Sequence, residues 1–280
     1  AVCALNDGMI LAWDVCEYGW GIIRTDLDGK KLWGCSQDAT HLATDGERLF
    51  FAGGHGLNKA PEVRLLAVAD SRPTRFADGT ASIAAPQGGG ERNNEVTGLA
   101  WHKGVLYVSY ARRNLVAAFE TVNGSLKQTW EVPAPGRLAI RPDGALAVIT
   151  AGKVVVVAEG KAVPWLESHL DDPVALVIAA DGTTYVANRG KLQNVSVFGA
   201  DGKFARSIGR DGGRPAKGKY DPSGMYMAGG IALDKLSRLW VAETTDGPKR
   251  ISVWDVRTGA NLKEFFGSSG YFAYGFIDPD

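Results

Sequence analysis

PVALVIAADGTTYVANRGKLQNVSVFGADGKFARSIG, from Pro173 to Gly209, holds four short apolar or alternating runs separated by turn residues. A second stretch, GGIALDKLSRLWVAETTDGPKRISVWDVRTGANLKEFFG from Gly229 to Gly267, has the same plan. Asp-Gly and Asn-Gly between alternating runs mark tight hairpins, because glycine reaches positive φ without steric cost. The first hairpin of the unit turns at Gly8, Gly46, Gly104, Gly144 and Gly182, at intervals of 38, 58, 40 and 38 residues; the sixth copy has Lys235-Leu236-Ser237 there. The second hairpin turns at Gly29, Gly124, Gly160, Gly202 and Gly259, with Asp70-Ser71 expected to serve in the second copy. A repeat of about 40 residues built from four strands is a β-propeller blade.

The strand between the two turns recurs as MILAWD, LFFAGG, LYVSYA, LAVITA, TYVANR and LWVAET. Its period-2 pattern of small, β-branched and aromatic residues suits a strand packed on both faces. No segment keeps a helical period, so the chain is all-β. The expectation is a single domain of six four-stranded blades, at about 1–37, 38–80, 96–133, 134–168, 172–209 and 228–267. Residues 274–280, YGFIDPD, match an innermost strand and predict the start of a further blade, which favours a polypeptide that continues past Asp280. Gly230 is expected to let an innermost strand approach the axis, and Trp240 to fill the space between blades.

Lys and Arg number 31, as do Asp and Glu, so the formal net charge is zero. That disfavours nucleic-acid or membrane binding through bulk charge, and no apolar run is long enough to span a bilayer. Cys3, Cys16 and Cys35 match no metal-ligand spacing and read as small buried side chains. If Asp7-Gly8 is a two-residue turn, Cys3 faces Ala12. His41 begins one innermost strand and His102 ends another, which places them at opposite ends of the channel and disfavours a three-histidine zinc site.

The last two copies resemble the NHL repeat. The sixth runs Gly230-Ile231-Ala232-Leu233-Asp234, then Leu239-Trp240-Val241-Ala242-Glu243, then Arg250-Ile251-Ser252-Val253-Trp254. The second copy is equally similar to bacterial YVTN-type propellers. The resemblance implies a propeller of this class from a bacterial, extracytoplasmic (periplasmic or secreted) protein. It implies no single chemistry, since relatives include protein-binding, RNA-binding and catalytic members.

In such propellers the loops joining blades and those joining the second strand to the third share one face. Here both kinds are long, at 80–96 and 210–229 between blades and at 53–62, 111–114, 188–193 and 243–250 within them. Loops elaborated on one face of a rigid scaffold are the usual place for binding residues. Cations predominate in them, and guanidinium groups suit carboxylate, sulfate or phosphate ligands. The candidate ligand-binding residues are Arg112, Arg113, Arg189, Lys191 and Arg214, with Tyr110, Asn188 and Glu243 at the mouths of second strands. Blade 4 has the shortest loops, Ala151-Gly152 among them, which leaves a notch flanked by Arg112 and Arg113 on one side and Arg189 on the other. The reading is a non-catalytic module that binds a partner protein or an anionic polysaccharide, with no cofactor. The alternatives are a hydrolase or lyase with a divalent cation such as Ca²⁺ at the mouth, for which Asp14 and Glu243 are the candidate ligands, and a binder of single-stranded RNA.

Overall fold

The structure is a computed structural model. It describes residues 1–15, 19–53, 62–86, 95–158, 160–216, 219–244 and 249–267, with backbone alone for those of 13–20 that fall in strands. Six antiparallel sheets of four strands each, with every sheet in sequence order, build a β-propeller. Blade 1 comprises β1 (Val2–Ala4), β2 (Gly8–Val15), β3 (Gly19–Asp26) and β4 (Lys31–Cys35). Blade 2 comprises β5 (His41–Thr44), β6 (Arg48–Ala52), β7 (Val63–Ala67) and β8 (Ser82–Ile83). Blade 3 comprises β9 (Gly98–His102), β10 (Val105–Tyr110), β11 (Leu115–Glu120) and β12 (Leu126–Glu131). Blade 4 comprises β13 (Pro135–Ile140), β14 (Leu146–Thr150), β15 (Lys153–Ala158) and β16 (Lys161–Leu166). Blade 5 comprises β17 (Pro173–Ile178), β18 (Thr184–Asn188), β19 (Val195–Phe198) and β20 (Phe204–Ile208). Blade 6 comprises β21 (Ala228–Leu233), β22 (Arg238–Glu243), β23 (Arg250–Asp255) and β24 (Asn261–Phe266). Helix among the described residues is one 3-10 turn, Ala111–Arg113.

The burial pattern explains the strand sequences. Second strands such as Leu146–Thr150 and Thr184–Asn188 are buried at every position, because neighbouring blades cover both faces. The outer strand Leu126–Glu131 is exposed almost throughout and carries Lys127, Gln128 and Glu131. Each of the six blade interfaces has its own hydrophobic cluster. Ile10, Leu42 and Phe51 join blades 1 and 2, and Phe50, Leu106 and Phe119 join blades 2 and 3. Val116, Leu138 and Val148 join blades 3 and 4, and Ile149, Val186 and Phe198 join blades 4 and 5. Tyr185, Met225 and Trp254 join blades 5 and 6, and Met9, Trp240 and Val253 join blade 6 to blade 1. That last cluster closes the ring, with β21 beside β1.

Side chains also tie the blades together at the rim. Arg24 Nη1 and Trp33 Nε1 both donate to the Val68 carbonyl, at 3.2 and 2.8 Å. Arg48 Nη1 reaches the Thr121 carbonyl at 2.6 Å, and Arg206 Nη2 donates to that of Val256. At the seam, Arg238 Nη2 reaches the Leu27 carbonyl at 2.9 Å. Trp240 is 1 % exposed, stacks on Phe265 at 5.6 Å between ring centroids and donates from Nε1 to Asp234 Oδ2 at 2.9 Å. An added Cβ at Gly230 would meet the Val2 backbone nitrogen of blade 1 at 3.4 Å, an ordinary contact, so the crowding at the axis expected from the sequence is not what this position shows.

Three details differ from the sequence reading. Leu5 N donates to the Gly8 carbonyl, which moves the first turn one residue back, to Asn6-Asp7, and sets Cys3 opposite Ile10 rather than Ala12. Gly8 itself is in β2, where a Cβ would fall 1.9 Å from the Thr25 carbonyl oxygen. The chain turns after β7 with an isolated bridge from Leu66 to Pro73, so the outermost strand of blade 2 forms at Ser82–Ile83, inside the stretch read as an insertion. Cys3 and Cys35 are half-buried free thiols. Cys16 and the strand expected at 274–280 lie outside the described residues.

Candidate binding face and channel mouth

The blade geometry carries the loops after the second strands, and those between blades, to one face. Tyr110 ends β10 there, but its ring is fully buried and its hydroxyl has no partner among the described residues. The 3-10 turn that follows presents Arg112 to solvent and holds Arg113 half-buried. Arg113 Nη1 donates to the Pro86 carbonyl at 2.7 Å, and its guanidinium lies 6.0 Å from the Tyr110 ring. Across the short turn of blade 4, where Ala151 and Gly152 both have positive φ and are exposed, comes the 188–193 loop of blade 5. Lys191 is exposed on it. Arg189 is half-buried, with Nε donating to the Ala228 carbonyl at 2.6 Å and Nη2 to Thr244 Oγ1 at 3.2 Å. Asn188, fully buried, braces the same loop by donating to Asn194 Oδ1 and Ser196 Oγ and accepting from the Asp171 amide.

Arg214 and Glu243 occupy a different environment. Both side chains are buried, and Arg214 Nη2 meets Glu243 Oε2 at 2.6 Å. Arg250 Nη1 meets the other oxygen, Oε1, at 2.9 Å, and its Nη2 pairs with Glu264 Oε1 at 2.6 Å. Arg250 also donates to the Gly224 and Pro222 carbonyls, at 2.7 and 3.0 Å. Tyr220 covers the cluster, its ring 5.7 Å from both guanidinium carbons and its hydroxyl bonded to Glu264. Burial pushes the Glu243 carboxyl above the ordinary range, opposed by the hydrogen bond from Arg214 and the charge of Arg250. This buried network fastens the insertion between blades 5 and 6 to the body of blade 6. Arg214 therefore does not face solvent, and two guanidinium groups on one carboxylate make Glu243 a poor cation ligand. The Asp14 side chain lies outside the described residues.

One residue that the sequence did not single out commands the channel mouth. Arg137, near the start of β13 in blade 4, reaches past blade 3 to blade 2. Its Nη1 lies 2.6 Å from His41 Nδ1, and its Nη2 donates to the Thr40 carbonyl at 3.0 Å. Gly98 makes the crossing feasible, since a Cβ there would sit 3.0 Å from the Arg137 Cα and 2.5 Å from the Gly136 carbonyl oxygen. Burial, then the charge of Arg189, lowers the Arg137 pKa to about 10, so the guanidinium stays charged at neutral pH. No carboxylate pairs with Arg137 among the described residues. Burial, reinforced by Arg137, holds the His41 pKa well below its usual value. The imidazole is therefore neutral and accepts through Nδ1. The available signal was a lone arginine in an innermost strand, the GRLAI of blade 4, where blade 2 carries His41 and blades 3, 5 and 6 carry Gly98, Ala175 and Gly230.

Comparison with known proteins places the fold and no more. No family model matches the chain, and no curated protein does. Among solved structures, hydrazine synthase from Kuenenia stuttgartiensis aligns at 19 % identity with a TM-score of 0.50, over 61 % of this chain. The aligned part spans 49 % of that protein's chain, about half its length. Several hundred solved chains match in this way, so the likeness identifies an architecture shared by many proteins.

Proposed function

We propose that this propeller is a recognition module that binds an anionic polymer, such as a uronic-acid polysaccharide, across its long-loop face. The observation that carries the reading is the pair of cationic loops, with Arg112 and Arg113 from blade 3 and Arg189 and Lys191 from blade 5, on either side of the low turn of blade 4. Arg112 and Lys191 project into solvent, while Arg113 and Arg189 are anchored by backbone carbonyls and form the fixed walls. Nearby acids are engaged within the protein: Glu167 pairs with Lys153 at 3.5 Å, and Asp171 accepts from the Lys191 amide. Asp172 sits close enough to Arg189 to offset part of its charge, which leaves the blade 3 wall the more cationic.

The test is calorimetric titration with polygalacturonate and with neutral dextran, comparing the wild type with an Arg112→Ala, Lys191→Ala double variant. Those two side chains make no described hydrogen bond or ion pair, so the variant leaves the fold unaltered. At about 0.5–1 kcal/mol per exposed ionic contact, the double variant should bind the acidic polymer roughly five- to thirty-fold more weakly. Equal affinity for dextran, or undiminished affinity in the variant, refutes the reading and favours a protein partner on the same face.

A further inference from the structure

We propose that the central channel is a binding site for a small amphipathic carboxylate, whose oxyanion is held by Arg137 and whose apolar body lies among the innermost strands. The channel holds a cavity of about 320 Å³ lined by the innermost strands of all six blades. That volume is within the range of small-molecule sites. Leu42, Leu99, Ile140, Val177 and Ile231 are among the lining residues, the exposed surface of the wall is about equally polar and apolar, and Arg137 is its one charged side chain among the described residues. The Ala1 amino group also lines it, and burial and then Arg137 lower its pKa to about 5, so it is neutral at pH 7. Cys3 also lines it, and burial raises that thiol to about 12, so it contributes no charge at neutral pH.

A buried guanidinium is costly unless an anion accompanies it. Arg137 uses two of its five N–H donors, on Thr40 and on the neutral imidazole of His41. Neither acceptor carries negative charge. A carboxylate matches what remains, because it takes two parallel N–H bonds from one guanidinium and balances its single charge. A phosphate dianion would leave one charge without a cation inside the channel, and a polymer would not fit the cavity. The site is thus separate from the face assigned to the acidic polymer, and either reading can fail without the other.

The probes are hexanoate, with acetate lacking the apolar body and hexan-1-ol lacking the charge. Calorimetric titration of the wild type should show hexanoate binding at least tenfold tighter than either control. Arg137→Met, which keeps the stem and removes the charge, should weaken hexanoate at least tenfold and leave hexan-1-ol unchanged. Should that variant not fold, the readout is the Trp101 indole N–H resonance, assigned with Trp101→Phe. Trp101 lines the channel, and its Nε1 is buried without an acceptor among the described residues. Hexanoate should shift that signal in the wild type, whereas acetate should not. Absence of hexanoate binding, affinity no better than that of hexan-1-ol, full affinity in Arg137→Met, or a Trp101 signal indifferent to hexanoate each overturns the proposal.

Discussion

Replacing Trp240 with alanine tests how the ring is closed. The side chain is 1 % exposed and sits in the cluster that joins blade 6 to blade 1, with Val2, Met9 and Leu11 on the far side. Truncating a buried aromatic of this size costs about 3–5 kcal/mol, from lost transfer energy and from the cavity left behind. The indole hydrogen bond adds little, because Asp234 Oδ2 keeps the Arg238 Nε donor at 2.7 Å. At about 2–4 °C per kcal/mol for a chain of this size, the melting temperature should fall by roughly 6–20 °C. Trp240→Phe keeps a ring to stack on Phe265 and separates the packing from the N–H bond; it should cost about 1–2 kcal/mol. Urea unfolding of the three proteins provides the measurement. A loss below about 1 kcal/mol for Trp240→Ala would mean that this seam contributes little to stability, and would refute the assignment of Trp240 as its filler.

Glu243→Gln leaves two buried guanidinium groups facing a neutral amide, which should cost about 3–5 kcal/mol and make the 210–227 insertion a site of tryptic cleavage; an unchanged unfolding midpoint would contradict the network. His41 gives a pH signature. Its folded pKa lies well below the unfolded value, so the unfolded chain takes up a proton first as the pH falls. The stability its neutral form contributes is present above the unfolded pKa of about 6.5 and is lost below it, by up to about 1.4 kcal/mol per pH unit. Urea midpoints between pH 5 and 7.5 should fall more steeply for the wild type than for His41→Gln, and parallel curves would disprove this.

The architecture was legible because its signals are local. Gly46, Gly104, Gly144 and Gly182 all have φ between +81° and +96°, as the first-hairpin turns require. The all-buried second strands show in sequence as runs with hardly a charge. What escaped the reading depends on tertiary partners. The register of the first hairpin rests on one bond from Leu5 to Gly8. Arg214 looks like any loop cation until the fold brings it to Glu243, 29 residues away. Arg137 acts on residues nearly a hundred positions earlier, in a blade it does not adjoin. Of the candidate cations, the structure brings Arg112, Arg113, Arg189 and Lys191 to one face and takes Arg214 inside.

Every sheet in this molecule is assembled from strands consecutive in the chain, whereas the junction of blades 6 and 1 joins residues more than 200 apart, as in the bond from Arg238 to Leu27. Loop-closure entropy makes such contacts late arrivals in folding. Blades can form and dock in succession, leaving this junction to close after the transition state. Lesions there should then accelerate unfolding and leave the refolding rate nearly untouched. The junction would in that way set the lifetime of the folded ring, while the hairpin turns set the speed of its formation.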